Sequence, residues 1–236
     1  MGKSVLYERT HKINDFITIK IPTIGELIEN EDDYYGNIAL IVATPSDMMV
    51  QLDDMKIDFT KINDWDLFCL LFNELRTRDL SLIFDGLDLR DFVTAENKQN
   101  GNIILINPKT GDKIDRAVHD KVCTYLRATL RLQKNEKKPA NEEARKYLIE
   151  RTRAKLKRRK KQLTESQIDK YIVALVNTSE FPYTYESVLG LTINQFYASL
   201  HQIVRKIKYD NLMIGCYAGT VNTKELDQNE LNWISN

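Results

Sequence analysis

The chain has 236 residues, 42% of them hydrophobic, with 34 Lys+Arg balanced by 34 Asp+Glu. That is enough apolar material for at least one sizeable core, which excludes disorder as the default state. A formal net charge of zero excludes the uniformly positive field of a dedicated nucleic-acid coat. Charge is nevertheless unevenly spread. Residues 26–66 carry 11 carboxylates against Lys56 and Lys61, a local net of −9, and residues 145–161 carry 10 cations against Glu150, a local net of +9. Two such blocks can neutralise one another, in cis or between copies of the chain.

Cys69, Cys123 and Cys216 lie far apart among apolar residues and form no Cys-x-x-Cys. They predict reduced, buried thiols in a reducing compartment and no zinc site. The opening "MGKSVLYERT" has no hydrophobic signal core, no run approaches the roughly 18 apolar residues of a membrane span, and Leu6 stands where a myristoylation signal needs Ser or Thr. The expectation is a cytosolic protein that does not engage a membrane.

In chain order, "DFITIKIP" alternates with the period of a strand, and Pro22-Thr23 then break it and can open a helix. Thr44-Pro45 predicts an N-cap and first-turn proline for a second helix ending near Met55. Trp65, Phe68, Cys69, Phe72 and Leu75 recur at helical spacing and predict a largely buried helix. Short strand signals follow in "LSLIF", "DLRDFVTAE" and "NIILINPKTGDKID", the last with a turn at Asn107-Pro108-Lys109-Thr110-Gly111, so a small antiparallel sheet is the economical reading. From Asp115 a stripe of Val118, Val122, Tyr125/Leu126 and Thr129/Leu130 returns to helix. The polar "QKNEKKPANEEARK", broken by Pro139, is the best candidate boundary, and Asn141 caps the helix beyond it. "TESQ" at 164–167 and "TINQ" at 192–195 have capping-box form and open two more helices. The predicted fold is α+β and mainly helical: residues 1–134 an α+β region with a small antiparallel sheet among helices, residues 139–236 a helical bundle region that begins with a basic, projecting helix.

Catalytic constellations are sparse. Gly2-Lys3-Ser4 lacks the upstream glycine and strand of a phosphate loop, and no Gly-x-Ser-x-Gly occurs. His11, His119 and His201 are isolated and read as surface or partly buried side chains. Asp53, Asp54, Asp58, Asp64 and Asp66 have the chemistry to hold magnesium, but density along a sequence does not make acids converge, and a solvated acidic face is the simpler reading. "DGLD" at 85–88 lacks the remaining ligands of a calcium loop. No catalytic residue, metal or cofactor is assigned.

The most distinctive stretch is "RTRAKLKRRKKQ" at 151–162, with 8 cations among 12 residues and no acid. Ala144, Tyr147, Leu148 and Ile149 anchor the start of its helix, but beyond Arg151 only Ala154 and Leu156 are apolar, so the helix is expected to leave the core. Three readings stay open: a solvated helix end, a docking arm for an acidic protein surface, and a grip on phosphates. The helix has no aromatic platform for stacking bases and no framed side-chain set for reading them, which sets nucleic acid behind protein.

Four phrases, "IPTIGELIENEDDYYGNIALIVATPSDMMVQLDDMKIDFTKINDWDLF", "KKPANEEARKYLIERTRAKLKRRKKQ", "LVNTSEFPYTYESVLGLTINQFYASLHQI" and "YDNLMIGCYAGTVNTKELDQNELNWIS", resemble proteins encoded in the tail-gene clusters of phages and prophages of low-GC Gram-positive bacteria. The resemblance covers nearly the whole chain. It implies a non-enzymatic role in virion morphogenesis, as a tail or baseplate assembly chaperone or a minor structural component. The partner implied is a phage tail or baseplate protein, a tape-measure protein among them, with a second copy of the chain as another; the place of action is the host cytoplasm or the virion tail. Tyr183, Tyr185, Phe196, Tyr197, Tyr209 and Tyr217 supply aromatic surface for a core and, in excess, for an interface. The family transfers no catalytic residue. The partner-binding candidates are Arg151, Arg153, Lys155, Lys157, Arg158, Arg159, Lys160 and Lys161.

Overall fold

The computed structural model describes residues 5–97, 101–159, 166–221, 226 and 232–234. The fold is α+β and mainly helical, with two small antiparallel sheets. β1 (Thr10–Lys12) pairs with β2 (Thr18–Lys20), His11 opposite Ile19. The turn between them is held by Asn14, whose Oδ1 accepts from the N–H groups of Phe16 at 3.1 Å and Ile17 at 2.7 Å. Then come α1 (Ile24–Ile28), α2 (Glu31–Ile41), α3 (Met49–Asp54) and α4 (Asp64–Leu75). β3 (Val93–Glu96), β4 (Ile103–Ile106) and β5 (Lys113–Ile114) form the second sheet in that order. α5 (Arg116–Thr129), α6 (Glu142–Arg159), α7 (Gln167–Val176) and α8 (Ile193–Tyr217) complete the chain.

Helix starts follow local chemistry. Full capping boxes open α1 (Thr23 with Glu26), α4 (Asn63 with Asp66) and α8 (Thr192 with Gln195), and the Asp115 carboxylate accepts from Val118 N–H at 2.9 Å ahead of α5. Thr44 and Asp47 exchange side-chain and backbone bonds, yet residues 45–48 are a turn and α3 starts at Met49. α7 is capped by Ser166 accepting from Asp169 N–H at 3.0 Å; Thr164 of the expected box lies outside the described residues. The turn at 107–111 is present, with Gly111 at φ +81° and the Asn107 side chain accepting from Lys109 N–H at 3.0 Å. "LSLIF" is not a strand. Its buried Leu80, Ile83 and Phe84 are spaced i, i+3, i+4, the period of a helical turn, and the N–H groups of Ile83 and Phe84 both donate to Leu80 C=O.

The chain forms two compact units, one of residues Glu8–Ile21 and Asn30–Glu165, the other of Met1–Tyr7, Pro22–Glu29 and Ser166–Asn236. In the first, Phe68, Phe72 and Leu75 of α4 and Val122 and Leu126 of α5 are buried with Ile17, Ile19, Ile38, Leu89, Phe92 and Leu105. The indole N–H of Trp65 donates to Ile103 C=O at 3.0 Å, tying α4 to β4. A second cluster in the same unit joins Ala43, Met49, Val50, Leu52, Phe59, Leu67 and Ile149. The other unit buries Ile24 and Leu27 of α1 with Ile168, Ile172 and Leu175 of α7, Val188, and Ile193, Phe196 and Ile203 of α8. Here α1 and α8 share their N-terminal ends: Ile24 N–H donates to Leu191 C=O at 2.9 Å and Ile193 N–H to Pro22 C=O at 3.0 Å. Each helix thus has a first-turn donor satisfied by the segment leading into the other, a donor that would otherwise be orphaned. Gly25 permits this approach, because a Cβ there would stand 3.2 Å from Leu189 O.

Candidate functional site

α6 holds the densest charge in the chain, and the path into it is ordered. The polar segment before it is laced to the turn at 44–47: Thr44 Oγ1 donates to Asn135 C=O at 2.7 Å, the Asn135 amide donates to Asp47 Oδ1 at 2.8 Å, and Lys137 N–H donates to Ser46 Oγ at 2.9 Å. Asn141 then caps the helix by accepting from Ala144 N–H at 2.8 Å.

Contrary to the expectation that it leaves the core beyond Arg151, α6 stays on it as far as Leu156. Ile149 is buried in the second cluster, and Leu148 and Leu156 pack half-buried against it. Arg145 and Arg153 extend the same face at i−4 and i+4 from Ile149, and each finds an acid. The Arg153 guanidinium lies 2.8 Å from Asp54 and 3.0 Å from Asp53 at the end of α3, and Arg145 lies 3.5 Å from Asp58. The Arg153 hydrogen bond holds the Asp54 carboxyl below the ordinary carboxylate range; for Asp58 the Thr60 N–H does most of this, with Arg145 adding. The acidic and basic blocks therefore meet in cis at α3 and α6. An ion pair lets an Arg occupy a position where periodicity calls for an apolar residue, with its stem alongside the cluster.

The other side of α6 is exposed: Arg151, Lys155, Lys157 and Arg158, with Tyr147 62% exposed one turn earlier. Arg151, Lys155 and Arg158 follow i, i+4, i+7 along one line. None of these four cations forms an ion pair with another described residue; the helix makes its pairs through Arg145, Lys146 and Arg153. Arg159 is the last helical residue, and Lys160 and Lys161 lie outside the described residues.

Between the ordered segment and the body of this unit is an open cleft of 860 Å³, lined by both signs of charge, among them Asp58, Asp64, Arg127, Lys134, Glu136 and Arg145. Asp64 stands 3.0 Å from Lys134 and 3.8 Å from Arg127, and Asp66 is taken up in the Asn63 cap. The carboxylates with magnesium chemistry are thus divided among separate cations and caps. Among the described residues no group of three or more His, Cys, Asp or Glu side chains is placed to hold a metal ion.

His119 departs from its reading as a surface or partly buried residue: it is 2% exposed. Its Nε2 lies 3.1 Å from Ile41 O and 3.2 Å from Cys123 Sγ, and its ring packs at 4.3 Å on Phe68 and 5.6 Å on Trp65. Burial holds His119 below the usual histidine range and pushes the Cys123 thiol up to about 12, so the pair is neutral and unreactive near pH 7. Cys69 and Cys216 are half-buried rather than buried, and burial pushes Cys69 up to about 11. The signal for His119 is its i, i+4 spacing to Cys123; a stripe read from Val118 turns α5 by one residue and misses it.

Residues 157–236 match the family model described as the YomV second domain, a phage-type family. The match starts in the last turn of α6 and takes in α7 and α8. No curated protein and no solved structure matches the chain. The C-terminal third is therefore similar to a phage-associated domain. Among the described residues no helix is long and apolar enough to cross a membrane.

Proposed function

We propose that the protein acts without catalysis in phage virion morphogenesis, as a tail or baseplate assembly chaperone or minor structural component that binds another tail protein in the host cytoplasm. The observation that carries this reading is the phage-type domain match over 157–236, which agrees with the tail-gene resemblance of the longer chain. The exposed line Arg151, Lys155, Arg158 with Lys157 supplies the contact, a cationic face rigidly mounted on the core through Ile149 and Leu156. Its partner is an acidic protein surface. Arg153 belongs to the mounting rather than to the contact, since it is engaged by Asp53 and Asp54.

The test is a pull-down of tagged protein from phage-producing cells after nuclease treatment, beside the triple variant Arg151→Glu/Lys155→Glu/Arg158→Glu. Recovery of a tail, tube or tape-measure protein with the parent and its loss with the variant is the expected result. Recovery of nucleic acid alone before nuclease, and of no protein after it, would replace the protein partner with phosphate.

A further inference from the structure

α8 is 25 residues long, but its burial ends at Ile203. Beyond that residue its apolar stripe continues on bare helix: Val204 and Ile207 are each 43% exposed and Ile214 is 65% exposed. Together with Leu200 and Asn211 they recur at alternating steps of four and three residues, the a/d alternation of a coiled-coil seam, with Val204 and Asn211 at a and Leu200, Ile207 and Ile214 at d. The opposite side of the same stretch is already occupied. Tyr209, Leu212, Met213 and Cys216 are half-buried there, the Gln202 amide donates to Trp233 C=O at 2.9 Å, and the Lys206 ammonium lies 5.7 Å from the centre of the Trp233 ring. Trp233 thus lies on the face away from the stripe, and at the last turn Val221 lies beside Gly215, next to Ile214.

We propose that this stripe is a self-association surface on which α8 of a second copy packs as a parallel, in-register pair. Asn211 selects the occupant. In such a pair the two Asn211 side chains face each other and hydrogen-bond across the seam, whereas an apolar partner helix would leave that amide buried and unsatisfied. A β-branched residue at a, here Val204, suits a parallel two-stranded seam. Lys208 and Asp210 are the charges that flank Ile207 and Asn211. Asp210 is neutralised within its own helix by Lys206 at 2.6 Å.

Sedimentation equilibrium of the full chain from low micromolar to several hundred micromolar tests this. The expected result is a mass rising toward twice the monomer, with Val204→Glu/Ile214→Glu remaining monomeric and keeping the parent's circular dichroism. In a Cys216→Ser background, Asn211→Cys should form a disulfide-linked dimer on mild oxidation, because facing a positions bring Cα atoms within disulfide range. A monomer across the whole range, or a dimer that survives the double Glu substitution, would overturn the surface. A dimer lost in the Glu variant but not cross-linked through position 211 would overturn the parallel register.

Discussion

α6 and α8 are the two longest helices among the described residues, and their burial runs opposite to their composition. α6 has few apolar residues and 8 cations in its second half and just beyond, yet it is held on a core by Ile149, Leu148 and Leu156 with Arg153 bridging to Asp53 and Asp54. α8 carries an apolar stripe along its length, yet that stripe is bare beyond Ile203. A periodic apolar face states what a helix is able to bury, and an available opposing surface decides whether it does. For α6 that surface is the end of α3 with its carboxylates, and the ordered segment at 134–141 delivers the helix to it.

The largest way to break the contrast is Ile149→Ala. It removes the central apolar contact of α6, and the expected loss is about 2–4 kcal/mol, read from urea unfolding. The same substitution at Ile207 should leave monomer stability nearly unchanged; equal losses at the two positions would mean that the exposed half of α8 is not bare in solution. A smaller effect separates the regions by pH. Because His119 titrates below the usual histidine range when folded, the unfolded chain takes up protons first, so stability is full above about pH 6.5 and declines as pH falls through that value. Hydrogen exchange at pH 7.5 and 5.5 should show α5 and the segment around Ile41 losing protection on acidification, and His119→Phe should abolish that response. The smallest effect belongs to Arg153→Ala. Both partners are near water, so the expected shift in urea midpoint is well below that of Ile149→Ala and shrinks further in 0.5 M NaCl. A salt-independent loss would show that the Arg153 stem, not its charge, holds the helix.

Much of this was legible in the residues. Thr23, Asn63, Asp115, Asn141 and Thr192 carry their own capping chemistry, and Asn107 to Gly111 carry their turn, because each depends on atoms within a few positions along the chain. Three features were not legible for one shared reason. "LSLIF" is short enough to suit either period, Val118 and His119 differ by a single step around α5, and Arg153 looks like a solvated cation until Asp53 and Asp54 are opposite it. In each case a neighbour distant in sequence takes part: Ile19, which bridges Phe84, for the first, Trp65 and Phe68 for the second, and Asp53 and Asp54 for the third.

An α+β, mainly helical chain with defined helix starts, an acidic block and a basic block is written in the residues themselves, and the C-terminal third is similar to a phage-type domain. The fold decided that the two blocks meet in cis through Arg145 and Arg153, that Arg151, Lys155, Lys157 and Arg158 line the outer face of α6, and that residues 22–29 join the unit of α7 and α8. The physical reason is range. Capping and turn bonds close within three or four residues, whereas an ion pair between residues 53 and 153, or a bridge between Thr23 and Thr192, exists only after the fold has brought their elements together.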